Sequence, residues 1–444
     1  MTGILSFVVV LLVLVVVHEL GHFTVAKLAK VRVLEFGVGF PPRVLSRRWG
    51  DTTYSLNLLP LGGFVRMVGE EDPTDPASLA GRSAAVRLAV MAAGSAMNAL
   101  LPLLLFTIVF MLPQDAIVAD VAVLEVAEGS PAQRAGVQPG DIVRRADGRN
   151  VDFSTDLRAA VQRRLGADIE WVVERGGRLI RITVPDVRVH WPEGQGATGV
   201  LLGNGRVTVT SVAPETTAEA AALKPGDVFL AVGGRSVLNG NSDMNRLANQ
   251  LSPEEAAAEA LSEAPGQPVP IQVLRDGQLV RLSLAPELGA LDGLSLAVRP
   301  TERRSEPVWR AVPMSFRQTW DVLVIFRNEI SRIFARASSI DLVGPVGIAR
   351  ITSQVAEAGI SPLIQWTALL SINLAIVNLL PIPALDGGRI MFVLIELARG
   401  GRRLAPEKER IAHMVGFAIL ISGIVAVSFG DIRRIITGGS VFGG

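Results

Sequence analysis

Long apolar runs dominate the pattern of hydrophobic and polar positions along the chain. Four of them lie at about residues 4–28, 88–112, 362–385 and 411–429, and each holds few charged residues. An α-helix rises about 1.5 Å per residue, so about 20 apolar residues cross the hydrocarbon core of a bilayer. The pattern therefore predicts a multi-pass α-helical membrane protein with four transmembrane helices.

Residues 33–68, between the first two runs, have a different pattern. Val33–Phe40, Thr52–Leu59 and Phe64–Met67 are short alternating or β-rich stretches, and Gly and Pro residues separate them. They predict a small membrane-associated β-hairpin sheet beside the first span. Its free edge could pair with an extended peptide, as edge strands do in β-augmentation. A purely structural loop that dips into the membrane is the alternative.

Residues 119–286 are rich in glycine and charge and contain an internal repeat. Ala135–Gly148 recurs later as Ala221–Gly234, with Pro-Gly-Asp at the same place in both copies. A predicted hairpin follows each copy. The pattern resembles bacterial PDZ domains, so we predict two inserted PDZ-like α/β domains, the second with a polar, helical insertion near residues 240–265. Peptide binding in their grooves and a steric or scaffolding role are both open, because no carboxylate-binding loop is legible.

After the repeat we predict a linker, followed by an amphipathic segment on the membrane surface. In that segment Trp309, Phe316 and Trp320 recur near helical spacing among arginines. The predicted division of the chain is a first membrane half (1–118), a first PDZ-like domain (119–190), a second PDZ-like domain (195–286), a linker with surface helices (287–361) and a second membrane half (362–444).

Basic residues predict the orientation of the spans. Nine Lys and Arg residues lie between positions 27 and 87, and six lie between positions 389 and 410. Loops next to spans that carry such an excess face the cytoplasm. The N-terminus and the PDZ-like domains are then expected outside.

Composition narrows the class of protein. The chain has 444 residues, 19% of them charged, and a mean hydropathy of +0.40, which is too apolar for one soluble globule. The net charge is +1 and the basic residues are dispersed, so no nucleic-acid partner is expected. There is no cysteine, which excludes disulfides and Cys-ligated metal. Of the four histidines, His190 and His413 are expected to have ordinary roles.

The other two histidines lie in His18-Glu19-Leu20-Gly21-His22, at the inner end of the first run. Positions i and i+4 share a helix face, so both imidazoles can bind one ion, with Glu19 beside its open position. Zinc in such a site lowers the pKa of a bound water and needs a base to take the proton, and Glu19 is the candidate. Burial of these side chains in a span is costly unless they are paired or bound to metal.

The third run has polar residues and an interrupted end. It contains Asn373 and Asn378, and then Pro381 and Pro383 leave helix carbonyls that only protein or a water-lined cavity can satisfy. The run points inward, so Asp386 comes to the depth of the two histidines. It is predicted as the third metal ligand, with a helix cap as the alternative. Asn98 in the second run either bonds a neighbouring helix or contacts a ligand.

Together these motifs resemble the site-2 protease family of intramembrane zinc metalloproteases, peptidase family M50, and especially its bacterial RseP-type members with tandem PDZ domains. The likeness covers essentially the whole chain and includes Pro60–Met67, Gly94–Asn98 and Gly344-Pro345. Ser95 departs from it, since the family often has proline there. The likeness implies a zinc cofactor held by His18, His22 and Asp386, Glu19 as catalytic base, substrate-binding roles for Asn373, Asn378, Pro381 and Pro383, and a hairpin sheet that holds unwound substrate.

The implied activity is endoproteolysis of transmembrane segments in the bacterial inner membrane, with the site toward the cytoplasm. Expected substrates are single-pass membrane proteins already trimmed by another protease, such as a membrane-bound anti-sigma factor or a remnant signal peptide. Two PDZ-like domains outside could exclude a folded ectodomain. The alternatives are a catalytically silent PDZ scaffold, which would not need Glu19, and a zinc carrier, which would need polar residues along a whole path.

Overall fold

A computed structural model describes residues 2–69, 77–116, 118–192, 195–237, 252–263, 265–285, 291, 293–299, 302–334, 343–402 and 406–436. The chain forms two compact units. The first comprises Met1–Leu112, Glu306–Trp320 and Ile340–Gly444, and the second comprises Pro113–Ser305 and Asp321–Ser339.

The helices are α1 (Thr2–Leu28), α2 (Ala84–Met111), α3 (Pro131–Arg134), α4 (Ser154–Arg163), α5 (Thr217–Ala220), α6 (Pro253–Glu263), α7 (Val308–Phe334), α8 (Pro345–Glu357), α9 (Ile360–Leu379), α10 (Asp386–Ala398) and α11 (Pro406–Ile436). The strands are β1 (Val33–Trp49), β2 (Thr52–Met67), β3 (Gln114–Ala116), β4 (Asp120–Val126), β5 (Ile142–Ala146), β6 (Arg149–Asn150), β7 (Ile169–Arg175), β8 (Arg178–Val184), β9 (Val200–Gly205), β10 (Val207–Val212), β11 (Val228–Val232), β12 (Arg235–Ser236), β13 (Val269–Arg275), β14 (Gln278–Leu284), β15 (Leu294–Val298) and β16 (Glu302–Arg304).

Among the described residues, four helices, α1, α2, α9 and α11, are long and apolar enough to cross a bilayer, and they correspond to the four apolar runs of the sequence. The first is rich in valine, a residue that favours strands in water, but in a bilayer a helix satisfies every backbone polar group internally. Only 6% of the most apolar window of α11 is buried, so most of its side chains there are accessible, as contact with lipid requires.

The third span ends earlier than predicted. The sequence pattern placed it at 362–385, but α9 ends at Leu379. Pro381 and Pro383 cannot donate helical hydrogen bonds, so a loop follows. A new helix, α10, then begins at Asp386, where the sequence analysis expected a cytoplasmic loop. The fourth span, predicted at 411–429, extends over the longer α11.

Helices α1, α2 and α9 pack against one another in the membrane unit. Val10, Leu14 and Leu101 form a buried cluster between α1 and α2, with leucines of α9 against it. At Gly21 the two helices come so close that a Cβ atom would lie 2.3 Å from the Ala93 carbonyl oxygen. Small residues permit such close approach of backbones in membranes. The approach brings the histidine face of α1 against α2.

The hairpin sheet contains more strand segments than the sequence pattern indicated. Residues 33–38 pair with 63–67 on one side and with 53–56 on the other, and residues 43–49 pair with 52–57. The three predicted stretches thus lie side by side, and 43–49 forms an additional edge. That segment is exposed and holds three arginines, so it lacks the alternation that marks a half-buried strand. No strand among the described residues pairs with the outer side of 63–67.

The second unit contains two sheets with the same strand order. The first is β8-β7-β5-β4-β9 with β6 on β5, and the second is β14-β13-β11-β10-β15 with β12 on β11. Their cores surround the fully buried side chains of Trp171 and Phe229. This correspondence agrees with the sequence repeat. The predicted hairpin turns lie where expected, between β7 and β8 and between β13 and β14.

The sheets place the domain boundaries later than the sequence analysis did. β9 belongs to the first sheet although it follows residue 195, and β15 belongs to the second although it follows residue 286. Only Arg206 separates β9 from β10, so no loop signal marks the change of sheet. Of the predicted insertion near 240–265, residues 240–251 and 264 lie outside the described part, and α6 packs its Ala256 and Ala257 into the second core.

The predicted amphipathic segment is the helix α7. Trp309, Phe316 and Trp320 are exposed on it. Its first turns belong to the membrane unit, where Ser315 and Thr107 of α2 form a hydrogen bond of 3.0 Å.

Candidate metal centre and active site

Three side chains from distant parts of the chain converge beside the hairpin sheet. The Nε2 atoms of His18 and His22 are 3.2 Å apart, and they lie 3.1 and 3.2 Å from Asp386 Oδ2. Zinc bonds of about 2.0–2.1 Å at tetrahedral angles put neighbouring donor atoms about 3.3 Å apart. The predicted ligand set therefore has the dimensions of one face of a zinc tetrahedron.

Local backbone geometry explains how Asp386 reaches the histidines. Leu385 occupies the N-cap position of α10, so Asp386 is the first helical residue and its carboxylate faces the imidazoles. A Cβ at Gly387 would lie 2.2 Å from the Leu380 carbonyl oxygen, and one at Gly388 would lie 2.4 Å from the Ile382 oxygen. The two glycines thus let the loop fold tightly onto the helix start. Asp386 is therefore not the capping residue that the alternative interpretation required, since the N-cap position belongs to Leu385.

The histidine rings are oriented by their other nitrogen atoms. His22 Nδ1 is 2.8 Å from the Val90 carbonyl oxygen, so it donates there and leaves Nε2 for an ion. His18 Nδ1 lies 3.3 Å from the Asn98 side-chain amide and 3.4 Å from that of Asn378. A ring that binds through Nε2 carries its proton on Nδ1, so one amide must present its oxygen to it. The buried Asn98 Oδ1 has no hydrogen-bond partner among the described residues, so this oxygen is free to accept the His18 proton if the amide is turned.

The space between the donor atoms fits a cation. Asp386 Oδ2 is buried, and no described residue donates a hydrogen bond to it. Its lone pairs and those of the two histidine Nε2 atoms therefore point into the same space. A Cβ at Gly94 would lie 2.4 Å from His22 Nε2 and 2.7 Å from His18 Nε2. Any side chain at position 94 would therefore enter this cradle. Two imidazoles and one carboxylate are a donor set that zinc accepts, and they leave a fourth position for water or substrate.

Glu19 lies between the triad and the edge segment 63–67 of the sheet. It lines a cavity of about 230 Å³ together with the triad and with Gly63, Phe64 and Val65. The Val65 backbone donates a hydrogen bond to its carboxylate. A Cβ at Gly63 would lie 3.2 Å from Glu19 Cγ, so the strand passes directly over this side chain. The carboxylate is thus placed to act as a base beside the triad.

Comparison with known proteins identifies the family. The model of the family described as "Peptidase family M50" matches residues 6–423. The chain belongs to peptidase family M50. This M50 chain is 31% identical to the zinc metalloprotease RasP of Geobacillus kaustophilus over 97% of its own length and 98% of the relative's. It is 28% identical to RasP of Oceanobacillus iheyensis over 98% of its length and 100% of the relative's. The resemblance drawn from the motifs is confirmed.

A second cavity of about 400 Å³ adjoins the first in this M50 peptidase. The two share Leu79, Met91, Ala384 and Arg389 as lining residues. The larger one also contains a buried ion pair, in which Arg87 of α2 donates to Glu396 of α10 at 2.7 Å. The active-site cavity therefore continues into a polar space between α2, α10 and α11.

The other predicted site residues of the M50 peptidase lie at different distances from the triad. Asn378 is half-buried beside His18, and Pro383 packs against Gly416. Pro381 is exposed in the loop after α9, and Asn373 is exposed on α9 and does not line either cavity. Their substrate contacts stay predictions.

Three participants in the site were not predicted from the sequence. The Val90 carbonyl is a backbone group and leaves no trace in the sequence. Gly94 lies within a recognised motif, but only the helix packing shows why a side chain is excluded there. His413, which was expected to have an ordinary role, contacts the loop before Asp386. Its place as a lone imidazole in an apolar span was the available signal.

Proposed function

We propose that this M50 peptidase is a zinc-dependent endopeptidase of the site-2 protease type, which hydrolyses peptide bonds within transmembrane segments of single-pass membrane proteins. The observation that carries the proposal is the triad of His18, His22 and Asp386 with Glu19 beside it, built on helices whose length and composition suit a bilayer. A scaffold would not need Glu19 in the cavity, and this argues against that alternative.

His18, His22 and Asp386 would hold the zinc. Zinc in such a site polarises the scissile carbonyl and lowers the pKa of water in its open position. Glu19 takes the proton from the attacking water and passes it to the leaving amine, and its place beside the triad in the same cavity supports this role. Asn378, close to the same point, is proposed to donate from its amide to the substrate carbonyl as negative charge develops there.

Substrate must be unwound before it can react, because the carbonyls of a helix are tied up in internal hydrogen bonds. The edge segment 63–67 has an unpaired side among the described residues and passes over Glu19. We propose that it pairs with the extended substrate by strand addition. Asn373, Pro381 and Pro383 are proposed as further substrate contacts along α9 and its loop.

The proposed location is the bacterial inner membrane, with the site toward the cytoplasm and the PDZ-like domains outside. The excess of Lys and Arg residues in the loops at 27–87 and 389–410 supports this orientation. Two folded domains on the outer side would obstruct a substrate with a large ectodomain. The proposed substrates are therefore proteins already trimmed by another protease, such as a membrane-bound anti-sigma factor or a remnant signal peptide, whose cutting would release a signal.

The Glu19→Gln variant tests the proposal. Glutamine keeps the shape of the side chain but cannot accept the proton, so cleavage of a model transmembrane peptide should fall at least about 100-fold while zinc content stays that of the wild type. Glu128→Gln makes the same change at an exposed position outside both cavity linings and should cleave normally. Undiminished cleavage by Glu19→Gln would refute the mechanism.

A further inference from the structure

The last span, α11, contacts the loop that carries Asp386 at two points. None of the described α11 side chains is a donor of the triad. Yet His413 and Gly416, which share a helix face at spacing i and i+3, both lie against the residues just before Asp386. One contact is a hydrogen bond and the other is a close approach of backbones. Each by itself indicates that α11 holds the loop before Asp386 in place.

The first contact is a hydrogen bond. His413 Nδ1 accepts from the Ala384 backbone N–H at 2.9 Å. Ala384 has φ of +89°, a conformation that is costly for a residue with a side chain and persists only where neighbours hold it. The His413 ring is itself fixed edge-on against Phe392 of α10, with ring centroids 5.3 Å apart. The strained residue two places before Asp386 is thus held from α11.

The second contact is a close approach of backbones. A Cβ at Gly416 would lie 2.3 Å from the Pro383 carbonyl oxygen and 2.7 Å from its carbonyl carbon. These are backbone atoms of the loop, so a larger residue at position 416 could not be accommodated by turning a side chain. The loop would have to move, and the start of α10 would move with it.

We propose that His413 and Gly416 are positioning residues, which clamp Pro383 and Ala384 so that the Asp386 carboxylate reaches His18 and His22. The inference rests on the proposed function in one respect, namely that the triad binds zinc. The shape of the contact matters, and its charge does not. A hydrogen-bond acceptor must lie at the position of His413 Nδ1, and residue 416 must be glycine because a Cβ there would meet the loop.

Matched variants of the full-length protein in detergent separate these features. Asn carries an acceptor Oδ1 where His carries Nδ1, whereas Leu has a similar shape and no acceptor. His413→Leu should weaken zinc binding at least about tenfold, measured by competition with a chelator, and His413→Asn should retain most of it. Gly416→Ala should weaken zinc binding similarly. Gly423→Ala is its control on the same helix, because a Cβ there meets no described atom within 4 Å.

A double-mutant cycle distinguishes positioning from general damage. If His413 acts through Asp386, His413→Leu should weaken zinc binding in the wild type but should not change the weak residual affinity that His18 and His22 retain in an Asp386→Ala background, measured at raised zinc concentrations. Equal effects in both backgrounds, wild-type affinity in both His413→Leu and Gly416→Ala, or an equal loss in Gly423→Ala would each overturn the inference. A wild-type protein that binds no zinc would overturn it together with the proposed function. Zinc binding without cleavage would overturn the proposed function alone.

Discussion

Replacement of Gly94 by alanine adds one methyl group at the centre of the proposed metal site. The new Cβ would lie 2.4 Å from His22 Nε2 and 2.7 Å from His18 Nε2. A carbon and a nitrogen in van der Waals contact are about 3.5 Å apart, so the rings or α2 must move by about 1 Å. Metal sites hold their ligands within about 0.2 Å of ideal distances. We therefore expect zinc affinity to fall by more than about 100-fold, and cleavage to fall with it.

The assay is zinc stoichiometry after gel filtration, followed by competition with a chelator of known affinity. The change should not weaken the helix, since alanine favours α-helices over glycine by about 1 kcal/mol. Bound zinc itself stabilises the folded protein, so the comparison is with zinc-free wild type, and the variant should unfold cooperatively at or above the transition of that protein. Gly423→Ala adds the same methyl group to an apolar helix where a Cβ meets no described atom within 4 Å, and it should bind zinc normally.

Two results would refute this reasoning. In the first, Gly94→Ala binds zinc with an affinity within about threefold of the wild type. A displacement of the ligands by about 1 Å should weaken binding far more, so the ion would not lie between the two imidazoles. Loss of zinc together with unfolding earlier than that of the zinc-free wild type would mean that the methyl group disrupts the packing of α1 on α2 generally. Only loss of zinc in a stable protein agrees with the cradle described above.

Three further changes test other parts of the molecule. Asp386→Ala should remove stoichiometric zinc, because two imidazoles make an incomplete site; unchanged zinc content would place the third ligand elsewhere. Arg175→Met should destabilise the first sheet by about 3 kcal/mol, because the fully buried Asp141 carboxylate loses its cation. Hydrogen exchange no faster than in the exposed-site control Arg178→Met would contradict this. Deletion of residues 119–298, which removes both sheets including β15, with a short linker should allow cleavage of a full-length substrate; cleavage of only a pre-trimmed one would exclude the domains as a filter.

The sequence was most informative where a local pattern has one physical solution. A run of apolar residues long enough for a bilayer must be helical, so the four spans followed directly. His18 and His22 at spacing i and i+4 share a face on any helix, so the first two donors were predictable together. The third donor needed one further argument, the depth that an inward-running span gives to Asp386. Its distances of 3.1 and 3.2 Å to the imidazoles agree with that argument.

Patterns failed where the deciding contact is between distant segments. The edge segment 43–49 is basic and exposed, and only its pairing with 52–57 makes it a strand. The passage from β9 to β10 takes a single residue, Arg206, so the boundary between the two sheets has no local mark. Helix α10 begins within a segment that reads as a Pro-Gly loop, because glycines at its first turn are needed for the loop to fold onto it.

The polar residues of the spans show why both halves of the membrane unit must assemble around the site. Each buried polar group in an apolar environment needs a partner, and the partners here come from opposite ends of the chain. Arg87 pairs with Glu396, Ser371 donates to the Asn98 carbonyl at 2.7 Å, and His18 meets Asp386. The second unit, Pro113–Ser305 with Asp321–Ser339, separates the two halves along the chain, so chain connectivity alone cannot fix their register. These pairs fix it, because a shift of one helical turn would leave several buried polar groups unpaired at once.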